Sequence, residues 1–102
     1  MIARIWSART TSALSSAYLE HFARRVLPEL RMVHGFAGCS VLTRSEHDAV
    51  EIIVISRWNS VDAIEGFAGK DREAAVVAPE AAALLTDYDR RVRHFEIAIA
   101  EP

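Results

Sequence analysis

The chain has 102 residues, of which 51% are hydrophobic and 25% charged, and its formal net charge at neutral pH is −2. This length fits a single domain spanning residues 1–102, and the apolar content excludes an intrinsically disordered chain. Because the charge is nearly balanced and the basic residues are dispersed, the sequence offers no electrostatic footprint for nucleic acid or for an anionic membrane surface.

The cysteine content and the N-terminal segment indicate the compartment. A single cysteine, Cys39, excludes an intramolecular disulfide and a thiolate-rich zinc site. The first residues lack the basic region and apolar run of a signal peptide, and no apolar stretch approaches the roughly 20 residues that cross a bilayer. We therefore expect a soluble cytoplasmic protein.

The first half of the chain predicts a strand, a helix and a hairpin. Ile2 to Ala8 is rich in β-branched and aromatic residues and predicts a strand. A helical period follows, with apolar positions at Leu14, Tyr18, Leu19, Phe22, Ala23, Val26, Leu30 and Val33. Pro28 lies inside this period, where it removes one backbone hydrogen bond, so we expect one kinked helix. Phe36 to Thr43 and Ala49 to Trp58 then predict a hairpin.

The second half predicts a short helix, a further helical piece and a closing strand. Asn59 and Ser60 cap the short helix, and Gly69 follows its end. Asp71 is expected to cap a second helical piece that Pro79 interrupts and that resumes through Leu84. The last strand is predicted from Arg90 to Ala100. We expect its apolar residues to face the core, which turns its histidine to the opposite face; these residues are Phe95, Ile97, Ile99 and His94.

This order of elements predicts an α+β protein with the ferredoxin-like βαββαβ fold and an antiparallel sheet. Right-handed crossovers place the first and third strands in the centre, where we expect them to be parallel neighbours. The third strand is apolar on both faces, with Ile52 and Val54 on one and Ile53 and Ile55 on the other. Two helices cover only one face of such a sheet, so we expect a second copy of the chain to cover the other in a homodimer.

Several segments resemble one family. The junction Arg57-Trp58-Asn59-Ser60, followed by Phe67-Ala68-Gly69, resembles the strand-to-helix junction of antibiotic biosynthesis monooxygenase domains. The segments Arg4-Ile5-Trp6, Val33-His34-Gly35-Phe36 and Arg93-His94-Phe95-Glu96 are similar to members of the same superfamily, so the resemblance covers nearly the whole chain. It implies a dimeric α+β barrel with a pocket between the helices and the sheet of each subunit.

The resemblance also implies particular site residues. Trp58 matches the Trp at the end of the third strand in cofactor-independent oxygenases, whereas Val54 stands where those enzymes have Asn. Ser7, Phe67 and Val77 stand where haem-degrading members have Asn, Trp and the His that binds iron. Since none of these three is retained, we do not expect haem degradation.

Three residues are candidates for catalysis of oxygenation, which requires an electron-rich phenol that reduces dioxygen itself. Trp58 offers a ring face and one N–H donor. Tyr18 lies near the apolar stripe of the first helix, so its hydroxyl can point into the pocket. His94 has Glu96 on the same strand face, and a carboxylate-oriented imidazole is a good general base.

Substrate-binding candidates come from the sheet and the second helix. Arg4 and Trp6 share one face of the first strand, and an Arg beside a Trp can bind an anionic phenolate. Ser7 lies on the other face. Val54 and Phe67 complete the set through the family positions that they occupy.

The predicted function is a cofactor-independent monooxygenase acting on an aromatic molecule of the polyketide or quinol kind, without a cofactor or a metal. We expect no metal because the sequence has no paired His, Asp or Glu residues at ligand spacing. The main alternative is a non-catalytic dimeric barrel that binds a small apolar ligand or has a structural role. A further alternative is proton-transfer chemistry centred on His94 or His21.

Overall fold

The computed structural model, which describes residues 1–102, contains five strands and four α-helices. The strands are β1 (Ile2–Thr11), β2 (Phe36–Glu46), β3 (Ala49–Trp58), β4 (Asp87–Tyr88) and β5 (Arg93–Glu96). The helices are α1 (Ser12–His21), α2 (Leu27–Arg31), α3 (Val61–Ala68) and α4 (Pro79–Ala82), and a π-helical turn, Phe22–Val26, joins α1 to α2. The predicted α+β class and ferredoxin-like order are confirmed.

The sheet is antiparallel, with strand order β2-β3-β1-β4, and β5 also pairs with β1. β1 and β3 pair along their whole length, from Ile2 opposite Trp58 to Thr11 opposite Ala49. They run in opposite directions, so the expectation that they are parallel neighbours is wrong. The crossover helix makes β2 parallel to β1, and the hairpin then reverses the chain, which leaves β3 antiparallel to both neighbours.

A continuous helical segment covers one face of the sheet. It begins after Thr11, whose side chain accepts a hydrogen bond from the Leu14 backbone N–H. Pro28 has no N–H to donate to the preceding turn. The backbone absorbs this by widening into the π-helical turn, in which the Leu27 N–H bonds to the Phe22 carbonyl. The irregularity expected at Pro28 therefore takes the form of one wide turn within a single helical segment.

The two faces of β3 differ in burial as their alternation predicted. Ile52 and Val54 face the helices and are buried, whereas Ile53 and Ile55 on the opposite face are only partly buried. The short helix α3 is docked at the end of this strand, and Ser60 caps it by accepting a hydrogen bond from the Ala63 N–H. No helix covers the second face, which we call the open face of the sheet.

The C-terminal third departs most from the sequence expectations. Residues 71–78 form no helix, and the Asp71 carboxylate binds Arg91 instead of capping one. Pro79 begins α4 rather than interrupting a helix, because a proline is tolerated in the first turn. The long strand expected from Arg90 to Ala100 is replaced by the short strands β4 and β5.

The last strand presents its two faces in the opposite way to that expected from the sequence. The pairing of β1 with β5 places His94 opposite Arg4 and Phe95 opposite Ala3. His94 therefore lies on the helix side of the sheet, and Phe95 lies on the open face with 43% of its surface exposed. The expectation that Phe95, Ile97 and Ile99 face the core is wrong, and Ile99 lies beyond the strand and is 89% exposed. A period of two shows that residues alternate but not which face meets the helices.

None of the helices combines the length and the hydropathy that crossing a bilayer demands.

Candidate functional site

A partly open cleft lies between the long helical segment and the face of the sheet that this segment covers. Its empty volume, including the open mouth, is about 600 Å³, and 12 of its 14 lining residues are hydrophobic. The lining consists of Arg4, Trp6, Tyr18, Phe22, Val26, Leu30, Val54, Ser56, Phe67, Val76, Val77, Ala78, Ala81 and Val92. This helix–sheet cleft has the apolar walls and few polar groups of a small-molecule site.

The wall of the cleft that the long helical segment forms is built from residues spaced four positions apart in the sequence. Tyr18, Phe22, Val26 and Leu30 all line it. In a regular α-helix of 3.6 residues per turn, steps of four drift steadily around the axis. The π-helical turn holds more residues per turn and offsets that drift, so the wide turn beside Pro28 keeps these side chains on one wall.

Arg4 is the one charged residue of the lining, and only 4% of its surface is exposed. Its Nη1 donates to the Arg72 carbonyl and lies 3.0 Å from His94 Nε2, and its Nη2 donates to the Ala74 carbonyl at 2.7 Å. Its guanidinium carbon lies 5.6 Å from the centre of the Phe67 ring. Burial lowers the pKa of Arg4 to about 10, so the side chain stays charged at neutral pH.

His94 supports Arg4 from behind the cleft wall. Because a guanidinium only donates, Nε2 of His94 accepts the hydrogen bond and Nδ1 carries the proton of a neutral ring. Burial, followed by the charges of Arg4 and Arg72, lowers the pKa of His94, whereas Glu73 acts in the opposite direction. His94 is not among the lining residues, so its contact with the cleft runs through Arg4.

Trp58 also lies one layer behind the lining. It is fully buried, and its indole N–H donates to Ser56 Oγ at 2.9 Å. Its ring stacks on Phe67, with centres 5.3 Å apart, and meets Phe36 edge-on at 5.4 Å. Ser56 and Phe67 face the cleft, so Trp58 acts on the cleft by positioning them.

Two aromatic residues predicted from the sequence line the cleft directly. Tyr18 is 3% exposed, and its hydroxyl has no hydrogen-bond partner within the chain. Burial raises the pKa of Tyr18 to about 12, so this hydroxyl remains a proton donor. Trp6 presents its ring, because its indole N–H is bound to the Asp89 carbonyl at 2.8 Å.

The structure thus brings together five of the eight predicted site residues in the lining: Arg4, Trp6, Tyr18, Val54 and Phe67. Trp58 and His94 form a layer behind them. Ser7 lies on the open face of the sheet, opposite Ile53, and does not line the cleft. Sequence reasoning missed Ser56 as a cleft residue, although its position two residues from both Val54 and Trp58 on one strand face was the signal.

His21, the residue of the first helix that was a candidate for proton transfer, lies away from the cleft. His21 borders a separate polar depression with Arg25, Glu29 and Glu80, and its Nε2 is buried without a hydrogen-bond partner. No group of three or more His, Cys, Asp or Glu side chains is placed to hold a metal ion. Proton transfer to a cleft ligand by His21 is therefore not supported by its position.

Comparison with known proteins places the fold. No protein-family model matches the chain, and a search of curated proteins finds no relative. Among solved structures, a Bacillus cereus protein named as an antibiotic biosynthesis monooxygenase matches with a TM-score of 0.66 and 17% identity, covering 99% of this chain and 94% of its own. The chain therefore has the α+β fold of this kind of domain.

Two further structures share that fold and were determined with bound molecules. The haem degrader MhuD of Mycobacterium tuberculosis, with two haems in its active site, matches with a TM-score of 0.63 and 22% identity over 100% of both chains. A Streptomyces coelicolor monooxygenase from the gene ActVA-Orf6, in complex with Nanaomycin D, matches with a TM-score of 0.59 and 18% identity over 99% of this chain and 92% of its own. At these identities the likeness shows the fold alone.

Proposed function

We propose that the chain is a monooxygenase that binds a flat aromatic molecule in the helix–sheet cleft and oxidises it with dioxygen without a metal or an organic cofactor. The observation that carries the proposal is the lining, in which aromatic and aliphatic walls surround very few polar groups. The monooxygenases among the structural neighbours, one of them in complex with Nanaomycin D, support a reaction of this class. The aromatic rings in the lining, Trp6 and Phe67 among them, favour a flat aromatic ligand that can stack on them.

The proposed reaction suits a polycyclic phenol in which a CH₂ group is bonded directly to the aromatic rings. Loss of one proton gives an electron-rich anion that donates electrons to dioxygen. One oxygen atom enters the molecule as a new carbonyl, and the other leaves as water with the two hydrogens of the CH₂ group. The substrate loses four electrons and dioxygen gains four, so no further reductant is needed.

The contribution of the chain is to hold this substrate and to shield it from water. Trp6 and Phe67 offer ring surfaces for stacking, and the aliphatic walls exclude solvent from the reactive anion. The protonated hydroxyl of Tyr18 can donate to the negative oxygen that develops on the substrate. Ser56 can donate as well, because its oxygen accepts from Trp58 while its own hydrogen stays free.

Oxygen uptake with anthrone substrates, which carry the required CH₂ group, tests this proposal. Replacement of Tyr18 by Phe removes one donor and should lower the rate about 100-fold or more, with the fold intact. The matched control is Tyr88→Phe, because the Tyr88 hydroxyl accepts from Arg90 and does not line the cleft. Isotopically labelled dioxygen should place one labelled atom in the product, and an unlabelled product would refute monooxygenation.

A non-catalytic binding protein is the second candidate, and one observation favours it. No His, Asp or Glu lines the cleft, so no side chain there is suited to remove the substrate proton at neutral pH. The two candidates separate in the same assay. Saturable binding of the aromatic molecules without any oxygen uptake identifies a binding protein, whereas uptake shows that the substrate ionises on its own or through water.

Haem does not fit the cleft as a reacting partner. Its lining contains no His, Cys or Met, which are the usual axial ligands of haem iron. The tyrosine that could replace them, Tyr18, is held protonated by burial. Val77, at the family position of the iron-binding His, contributes a hydrocarbon wall.

We also propose that the chain works as a homodimer paired through the open face of the sheet. The centre of that face is apolar and uncovered by helices, and an exposed apolar sheet surface is unfavourable in water. Its apolar residues are Ile5, Leu42, Ile53, Ile55 and Phe95. Leu42 and Phe95 are each 43% exposed in the single chain, and pairing would cover them.

A further inference from the structure

The charge of Arg4 has no counterion within the chain. Every arginine that forms an ion pair with a carboxylate does so at the surface, with 41% or more of its side chain exposed. Only 4% of the Arg4 residue is exposed, yet no carboxylate lies within 4 Å of it. Buried charges in proteins are ordinarily paired, because an unpaired charge in an apolar site is strongly unfavourable.

The hydrogen bonds of Arg4 leave part of its donor capacity unused. A guanidinium has five N–H groups. Nη1 uses two on the Arg72 carbonyl and His94, and Nη2 uses one on the Ala74 carbonyl. The N–H of Nε and the second N–H of Nη2 have no partner within the chain. His21 Nε2 is the one fully buried side-chain nitrogen or oxygen atom without a partner, so the unpartnered Nε of Arg4 is not fully occluded.

The surroundings of Arg4 fix its position without neutralising it. Two backbone carbonyls and a neutral imidazole hold the guanidinium, and the Phe67 ring lies against it. Glu73, the acidic side chain whose charge acts on His94, is engaged with Arg91. The result is a preorganised cation in the wall of an otherwise apolar cleft, which is the arrangement that recognises an anion.

We infer that the helix–sheet cleft selects an aromatic molecule that bears one anionic oxygen group, a carboxylate or a phenolate, and that Arg4 binds this group through its free N–H donors. The inference rests on the cleft of the proposed function and adds the charge of the ligand to it. His94 is a positioning residue in this site, since its neutral Nε2 holds Nη1 and leaves the opposite donors free. The aromatic part of the ligand then contacts Trp6 and Phe67.

Calorimetric titration without dioxygen tests the inference on matched ligand pairs. The first pair is 2-naphthoate and 2-naphthamide, which have nearly the same shape and differ in charge. The second is 4-nitrophenol, ionised at mildly alkaline pH, and neutral 4-nitroanisole. We expect the anion of at least one pair to bind about 10- to 100-fold more tightly than its neutral partner, as charge-assisted hydrogen bonds predict. Preference in the first pair identifies a carboxylate ligand and preference in the second a phenolate.

Variants of Arg4 assign that preference to its side chain. Arg4→Gln should remove the preference while the neutral ligands bind as before, and Arg4→Lys, which keeps the charge but not the planar fork, should retain part of it. The control is Arg24→Gln, because Arg24 pairs with Glu20 on the outer surface of the helical segment with 76% of its side chain exposed, and this change should leave the preference unchanged. Circular dichroism verifies that each variant is folded.

Two outcomes overturn the inference. Equal binding of anion and neutral partner by the unchanged protein shows that Arg4 is only a clamp on the 72–74 loop, and this result needs no variant. A preference that survives in folded Arg4→Gln places the anion elsewhere. Because the titrations involve no oxidation, an anion preference without oxygen uptake refutes the proposed reaction alone. Oxygen uptake by a protein with no anion preference refutes the inference alone.

Discussion

The pair formed by Trp58 and Ser56 gives the sharpest test of the layer behind the cleft. Trp58→Phe removes a buried N–H that bonds to Ser56 Oγ at 2.9 Å and leaves space in a fully buried position. The lost hydrogen bond contributes about 1 kcal/mol and the reduced packing a similar amount or more, so we expect a stability loss of about 2–3 kcal/mol. For a domain of this size that corresponds to a melting temperature lower by on the order of 10–20 °C.

A double-mutant cycle separates the hydrogen bond from the packing. Ser56→Ala alone leaves the Trp58 N–H buried and unpaired, which should destabilise the protein by about 1–3 kcal/mol. After Trp58→Phe the same Ser56→Ala change has no N–H to leave unpaired. The double variant should therefore be more stable than additivity predicts, by about 1 kcal/mol.

Urea unfolding followed by circular dichroism at one fixed chain concentration measures the cycle, since the stability of an oligomer depends on concentration. The control is Trp6→Phe, whose indole N–H donates to the Asp89 carbonyl at an exposed position, and its loss should be smaller. Additive effects of Trp58→Phe and Ser56→Ala would refute the pairing. An unchanged melting temperature in Trp58→Phe would refute its structural role as well.

Three further predictions concern haem, assembly and pH. Haemin with a reductant should lose its Soret band only at the protein-free rate, and faster oxygen-dependent loss would contradict our interpretation of Val77. If the chain pairs as proposed, Ile53→Asp should split or unfold the proposed homodimer in sedimentation equilibrium, because it strands a charge on the open face, whereas Met32→Asp, at a position 86% exposed, should not. Burial and the Arg4 charge hold the pKa of His94 below 6.5, so the folded state binds fewer protons than the unfolded state as the pH falls below that value. The free energy of unfolding should therefore fall with decreasing pH between 6.5 and the folded pKa, and His94→Gln should lack this component in pH-dependent urea titrations.

The sequence was sufficient to predict those elements that local patterns determine. The bounds of β3, the Ser60 cap and the continuous helix through Pro28 all follow from strand alternation, capping chemistry and helical period. The direction of β1 relative to β3 depends on how a crossover and a hairpin combine, and there our expectation was wrong. The helix predicted after Asp71 does not form for a different reason. Arg4 holds residues 71–78 as a loop by binding the carbonyls of Arg72 and Ala74.

The candidate site was predicted only in part, because local patterns group its residues but do not determine their tertiary contacts. The alternation of β1 and β3 correctly grouped Arg4 with Trp6 and Val54 with Trp58, but it could not show which group faces the helices. Ser7 was selected by a family position and lies on the open face. Trp58 was selected for its N–H, which the fold uses internally on Ser56. Only tertiary contacts could show that its place is behind the wall.

The polar groups of this site are arranged in two layers, and that arrangement determines what each can do. Arg4, Ser56 and Tyr18 face the cleft and keep hydrogen-bond donors without a partner in the chain. Behind them, His94 accepts a hydrogen bond from Arg4, and Trp58 donates one to Ser56. A site lined by donors and by no proton acceptor stabilises negative charge but does not create it. The ligand must therefore bring its charge with it or acquire it from its own acidity. Among aromatic molecules, that requirement favours acids and acidic phenols over neutral hydrocarbons.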